Sequence, residues 1–311
     1  MITTPTVLIL GAGASAHLDF PTGPSLSNAI FGAANNPPDF LINAIDNLLS
    51  PNELKDFANR LRTSSAPSID SFLQRNTHFI PITKLLIALC LIPYEKPALL
   101  WASPHPNADW YKLLFNTMQH NAPDLRDFAN NRLSILTYNY DRSLDHFLHH
   151  TLMSRYNADS ASCESALRQI PIVHLHGQLA ELHDRPYSPT LNPDTILKSA
   201  DAINVVYEPI DAYPQFTQAR EMLSTAARIY FLGFGYDPVN VNRLNLQEID
   251  TLRPKYLQRL TPPATPQPII GTLIGFNDHE TATLKKQYSS VIGFVENFIM
   301  DFLSNRHTAL I

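Results

Sequence analysis

Four short apolar runs constrain this chain more than any other feature. "TVLIL", "LSILT", "PIVHLH" and "ARIYFLG" end respectively at Gly11, Tyr138, Gly177 and Phe234, each in a turn-prone or polar cluster. Three of them carry little alternation, which is the pattern of strands covered on both faces in a parallel sheet. Helical patterns lie between them: "SLSNAIFGAA" follows the first run, "SLDHFLHHTLM" follows the second and "TQAREMLSTA" precedes the fourth. This strand-turn-helix order predicts an α/β fold with a doubly wound parallel sheet, and sites belong at the loops that close such strands.

Residues 37–128 read differently, as helical patterns without a convincing strand. Ser50-Pro51-Asn52-Glu53 offers an N-cap serine, a proline at the first helical position and a glutamate for a capping box. "SIDSFLQRN", "PITKLLIALCL" and "NADWYKLLFNTM" follow as further helices. The expected organisation is one domain over 1–311, with 1–36 and 129–311 forming the core and 37–128 a helical module inserted above the ligand crevice. "LTPPATPQP" reads as a proline-rich connector and "IIGTLIGF" as the last strand. Val291, Ile292, Phe294, Val295, Phe298, Ile299, Phe302 and Leu303 hold helical spacing, which predicts a terminal helix packed on the core or in an oligomer interface.

Composition excludes several classes. With 311 residues, 44% of them apolar, the chain has ample material for a core. A net charge of -5 without a run of Lys or Arg offers no basic face for phosphate backbones, so nucleic acid is not an expected direct ligand. Two cysteines, Cys90 and Cys163, support neither a disulfide framework nor a cysteine-ligated zinc, and a reducing compartment is expected. "MITTPTVLIL" lacks a basic n-region, and the apolar run Leu85 to Ile92 is short of the ~20 residues of a membrane span, so the expectation is a cytoplasmic protein with no membrane segment.

"LILGAGASA" fills a G-x-G-x-x-A frame with Gly11, Gly13 and Ala16 directly after a strand. Glycines there admit a pyrophosphate to the backbone, and a helix N-terminus supplies amide donors; a tight turn without ligand satisfies the same pattern. A dehydrogenase also wants an acid ~20 positions on, but that window reads "FGAANNPP", so a dinucleotide site of another type is indicated. In "ILTYNYD", Asn139 and Asp141 are two apart and can project to one side while Tyr140 points away. His174 and His176 share that spacing, and His176, next to Gly177, is the better placed to meet a ligand.

The order of these motifs resembles the sirtuin superfamily. "GAGAS" looks like its G-A-G-x-S opening, "TYNYD" like its T-Q-N-x-D, "HLHG" like its catalytic H-G and "GFGYDP" like its later glycine-rich loop; "SIDSFL" and "GTLIGFNDHE" are similar to weaker patterns of its bacterial sirtuin-like branch. The resemblance covers most of the chain outside the helical insertion. It implies a Rossmann-like core and NAD as substrate, cleaved between nicotinamide and ribose. Asn139 would orient the ribose or the attacking water, Asp141 would hold a ribose hydroxyl, and His176 would take a proton. Gly11, Ala12, Gly13 and Ser15 would bind pyrophosphate, with Thr137 beside them and Gly233, Phe234 and Gly235 closing the site.

Two departures from the deacylases matter. No cysteine occurs in 178–232, so a four-cysteine zinc module is absent, and Pro21 continues as Thr22, Gly23, Pro24 where they have P-D-F-R. Both departures are shared with sirtuin-like NAD hydrolases of bacterial antiviral systems. The resemblance therefore implies an NAD-depleting effector in a homo-oligomer, activated by a nearby-encoded partner, either a short Argonaute with guide nucleic acid or a ring-forming translocase ATPase. A zinc-less deacylase or ADP-ribosyltransferase and a non-catalytic NAD-sensing subunit are the alternatives. No metal site is expected: His146 and His150 read as solvated helix histidines, and His174, His176 and His183 as packed or hydrogen-bonded ones. Asp70, Tyr236 and Asp237 fit either a cap or turn or the pocket.

Overall fold

The computed structural model describes residues 1–39, 42, 51–66, 68–205, 214–305 and 310. Its centre is a six-stranded sheet: β1 (Thr6–Leu10), β2 (Leu133–Thr137), β3 (Ile172–His174), β4 (Arg228–Leu232), β5 (Ile269–Thr272) and β6 (Ile292–Val295). The strands are parallel and ordered β3-β2-β1-β4-β5-β6. Leu10 aligns with Thr137 on one side and Leu232 on the other. The strand order reverses between β1 and β4, so Gly11 and Gly233 leave the sheet side by side at the carboxyl ends, where open α/β sheets bind ligands.

Alternate residues of the strands feed two cores. Leu8, Leu10, Ile135, Tyr230 and Leu232 face the helices of the 51–128 segment, whereas Val7, Ile9, Leu136, Ile229 and Phe231 pack on the helices Pro214–Ser224 and Leu246–Leu257. Burial on both faces explains why these strands read as unbroken apolar runs. Between β1 and β2 the described residues form only helices, built around Phe57, Phe72 and Phe79 in mutual ring contact. The Ser50 cap lies outside the described residues; Glu53 sits in the first turn of Pro51–Thr63.

The helix Ile80–Leu91 packs on Gly23–Asn35 and Pro193–Ala202. The window Thr77–Tyr94 is long and apolar enough to cross a membrane, a longer stretch than the run Leu85–Ile92 suggested. Here Leu86, Ile87 and Ala88 are fully buried, as in a core helix.

The expected terminal helix is corrected. Ile292–Val295 forms the edge strand β6, paired parallel to β5, and only Ile299–Ser304 is helical. "IIGTLIGF" thus contributes the penultimate strand. Short apolar runs satisfy both periods, and the exposed backbone of β5 offers this one a ladder.

Candidate active site

The glycine loops meet each other. Gly13 N–H donates to Gly233 O at 2.9 Å, and Gly11 N–H donates to Leu232 O at 3.1 Å. A β-carbon on Gly11 would lie 2.6 Å from both Gly233 O and Phe234 Cα. Gly233 has φ +58°, and its added β-carbon would lie 2.3 Å from Ala14 N. After Gly11 the chain forms a 3-10 helix, Ala12–Leu18, ended by Asp19 in the left-handed region. Ala14 N–H donates back to Gly11 O at 2.9 Å. The amides of Gly13 and Ala14 are therefore spent within the protein, and the two glycine loops pack backbone against backbone.

Asn139 is pinned on this junction. Its Nδ2 donates to Gly11 O at 3.0 Å and to Ser15 Oγ at 3.2 Å, while its backbone N–H donates to Thr137 Oγ1 at 3.0 Å. With both amide hydrogens engaged, Oδ1 is the atom left to meet a ligand. Asp141 projects to the same side but is already an anchor: Oδ2 accepts from Ser15 Oγ at 2.8 Å, and Oδ1 accepts from Ser143 N–H at 3.1 Å and from Ser143 Oγ. Its carboxylate ties the 3-10 helix to the start of the helix Ser143–Tyr156. Tyr140 points away, its hydroxyl 3.4 Å from Asn204 O.

The two strand histidines part company. His174 lines a pocket with Ser15, Tyr111, Thr137, Asn139, Asp141 and Asp145. Its Nδ1 is 3.1 Å from Asn139 O and its Nε2 3.3 Å from Asp145 Oδ2. His176 instead lies against the Tyr138 and Phe216 rings, Nε2 3.2 Å from Asn240 Oδ1. The sequence reading favoured His176 and placed both on one side. β3 ends at His174 and Gly177 turns the chain at φ +68°, so strand parity stops before His176. Asp145 was missed; its signal is the first-turn position of a helix that opens straight from the Asn139–Asp141 loop.

Electrostatics follow burial. Burial works to lower the His174 imidazole, but the Asp145 carboxylate and its hydrogen bond outweigh that and hold it above the ordinary histidine value. Asp145 is held below the usual carboxylate range: burial opposes this, and His174 overrides it. Burial, then Asp141, pushes the Tyr111 hydroxyl far up, so it stays a neutral partner to Ser143 Oγ at 2.8 Å.

Directly after Asp141, Arg142 joins a buried ionic triad. Arg142 Nε donates to Glu95 Oε1 at 2.8 Å and Nη2 to Oε2 at 3.2 Å, and Arg185 Nη2 reaches the same Oε2. Arg142 also donates to the carbonyls of Glu181, Arg185 and Pro186. Glu95 thus locks the inserted helices to both the Asn139–Asp141 loop and the 181–186 loop.

Other expectations resolve as packing. Asp237 caps the helix Pro238–Leu244, and Tyr236 is buried with its hydroxyl donating to Thr272 O at 3.1 Å. Asp70 lies in the first turn of Ile69–Leu73, which Ser68 caps. His183 is exposed and pairs with Glu164. Among the described residues no group of three or more His, Cys, Asp or Glu side chains is placed to hold a metal ion.

His146 is not solvated: it is buried, 4.7 Å from the Tyr187 ring and stacked on His150, because residues on both sides of its helix are covered. Burial, then Arg142, pushes its imidazole down to about 3. The unfolded chain takes that proton below about 6.5, so stability is full above that pH and falls as pH drops towards 3. Denaturant midpoints at pH 7 and pH 5 should separate in the wild type and separate less in His146→Gln. Equal separations would place the acid sensitivity elsewhere.

The pocket has a cavity volume of about 10 Å³, room for no more than one water and far below the ~300–1,000 Å³ of ordinary ligand clefts. A dinucleotide requires the site to open.

No family model matches the chain, and no curated protein matches it. Among solved structures, similarity extends to Sir2 in complex with the inhibitor EX-527, 2'-O-acetyl-ADP-ribose and deacetylated p53 peptide, at 13% identity and a TM-score of 0.35, covering 96% of this chain and 90% of that one. Sir2Tm bound to a propionylated peptide is similar at 13% identity and a TM-score of 0.36, covering 96% and 89%.

Proposed function

We propose that this chain is an NAD glycohydrolase that cleaves the nicotinamide–ribose bond to give nicotinamide and ADP-ribose. Departure of neutral nicotinamide leaves an oxocarbenium-like ribose, which calls for a fixed oxygen acceptor and a base more than for a redox partner. The observation that carries the reading is the Asn139 amide, held by Gly11 O and Ser15 Oγ at the strand-order reversal so that Oδ1 is left for a ribose or a water. His176 is the proposed base. With Nε2 facing Asn240 Oδ1, Nδ1 is its basic nitrogen. The biological reading is an NAD-depleting effector of a prokaryotic antiviral system, cytoplasmic and homo-oligomeric, switched on by a nearby-encoded short Argonaute or ring-forming translocase ATPase. A pocket with a cavity volume of only about 10 Å³ accords with a resting enzyme that a partner must open.

The test is incubation with NAD, alone and with each candidate partner, following nicotinamide and ADP-ribose by chromatography. Asn139→Ala should lower release about 10²–10³-fold, and His176→Ala about 10²–10⁴-fold. NAD that stays intact under every condition overturns the hydrolase. His176, packed against the Tyr138 and Phe216 rings instead of lining the pocket, favours one second reading, a non-catalytic NAD-sensing subunit, which would bind NAD without turnover in the same assay.

A further inference from the structure

The pocket holds a histidine that neither the motif comparison nor the proposed chemistry uses. His174 Nδ1 faces the Asn139 carbonyl at 3.1 Å, and Nε2 faces the Asp145 carboxylate at 3.3 Å. Both partners are acceptors. A neutral imidazole carries one N–H, so it would turn a lone pair on one of them; only the imidazolium satisfies both. The side chain is 7% exposed, which leaves little room for water to relieve the mismatch.

We infer that His174 is a positioning residue: an imidazolium whose two N–H groups tie the Asn139 carbonyl to Asp145, so that the site is competent only while His174 keeps its proton. The kinetic consequence rests on the hydrolase reading, whereas the charge state rests on the geometry.

The surroundings agree. Asp145 faces the ring from the helix Ser143–Tyr156, Asp141 from the loop after β2, and the neutral Tyr111 from the helix Trp110–Gln119 across the pocket. His146, beside Asp145, is neutral above about 3, and His176, two residues along, lies against the Tyr138 and Phe216 rings. Two carboxylates thus act on the ring, and the raised imidazole value follows from them. Residue 139 is then gripped three ways: amide N–H by Thr137, carbonyl by His174, side chain by Gly11 and Ser15. Loss of the His174 proton releases one grip. Its contribution to stability is full below the unfolded value of about 6.5 and lost as pH rises through the higher folded value.

Two measurements on the full chain test this. In histidine-labelled protein, with His174→Gln used for assignment, nitrogen NMR should find both His174 nitrogens protonated at pH 7. A single-tautomer neutral ring overturns the inference whether or not NAD is turned over. In nicotinamide release with the activating partner, His174→Gln should lose about 10²-fold in kcat, the scale of a misplaced reacting group, with little change in KM. His174→Lys, which keeps a cation for Asp145, should retain activity and move the alkaline limb up towards lysine's ~10.4. Full activity of His174→Gln, or an unmoved limb in His174→Lys, overturns it as well. Absence of release from the wild type would sink the hydrolase reading and leave the NMR result to decide the charge state.

Discussion

Glu95→Ala should destabilise the fold by about 3–5 kcal/mol, the cost of removing one partner from a buried ion pair. The Glu95 carboxylate is fully buried between the Arg142 and Arg185 guanidinium groups. Its loss leaves two cations without a counter-ion in a site that water does not reach. Arg142 keeps its three carbonyl partners, so the segment 181–186 stays attached, but the inserted helices lose their charged link to it. Whole domains are stable by only about 5–15 kcal/mol, so this variant should approach unfolding at ordinary temperatures. Glu95→Gln keeps an acceptor and should lose less. Arg142→Met should lose a comparable amount, because Arg185 then holds only Glu95 Oε2, while Oε1 and three carbonyls lose their donor together. Urea midpoints decide: a shift in Glu95→Ala worth less than about 0.5 kcal/mol, the scale of a surface change, would mean that the triad is not an anchor. Because Arg142 follows Asp141 directly, the same variant should lose nicotinamide release at temperatures where it is still folded.

What the sequence discloses depends on how local the deciding interaction is. Three of the four parallel strands are legible because burial on both faces leaves runs such as "TVLIL" without alternation. Asn139 and Asp141 are legible as a pair although β2 ends at Thr137, because hydrogen bonds to Ser15 draw both side chains to one side of the loop. Two-residue spacing failed at His174 and His176, since β3 stops between them and Gly177 redirects the chain. β6 was read as helix because Val291 to Leu303 fits both periods, and only the open edge of β5 chooses between them.

Contacts between distant segments were not legible at all. Glu95 lies 47 residues from Arg142 and 90 from Arg185, and nothing in "LIPYEKP" marks it as their partner. His146 looked solvated because the helical pattern around it has no obvious apolar stripe, yet tertiary packing covers it from both sides. The glycine frame shows a related limit. It announces that something approaches the backbone closely, and here the loop after β4 occupies that space.

The glycines of "GFG" separate packing from ligand contact in one experiment. Gly233 combines a left-handed φ of +58° with backbone atoms 2.3–2.8 Å from where a β-carbon would sit. The left-handed conformation alone costs a residue with a side chain about 1–2 kcal/mol. The clash is with the backbone of Gly13 and Ala14, which no rotamer change relieves, so Gly233→Ala should lose about 3–5 kcal/mol in all, at the exceptional end for one methyl group. Gly235, two residues on, has ordinary φ and open space where a β-carbon would go. Gly235→Ala should therefore move the urea midpoint by no more than about 0.5 kcal/mol. If the loop after β4 closes on a nucleotide when the site opens, that methyl group enters the same space, and the KM for nicotinamide release should rise with stability unchanged. An unchanged KM would remove Gly235 from the ligand-facing set, and a Gly233→Ala protein as stable as the wild type would show that the two glycine loops are free to separate. The second outcome would locate the opening itself, because the junction between Gly13 and Gly233 is what holds the loops of β1 and β4 together above the strand-order reversal.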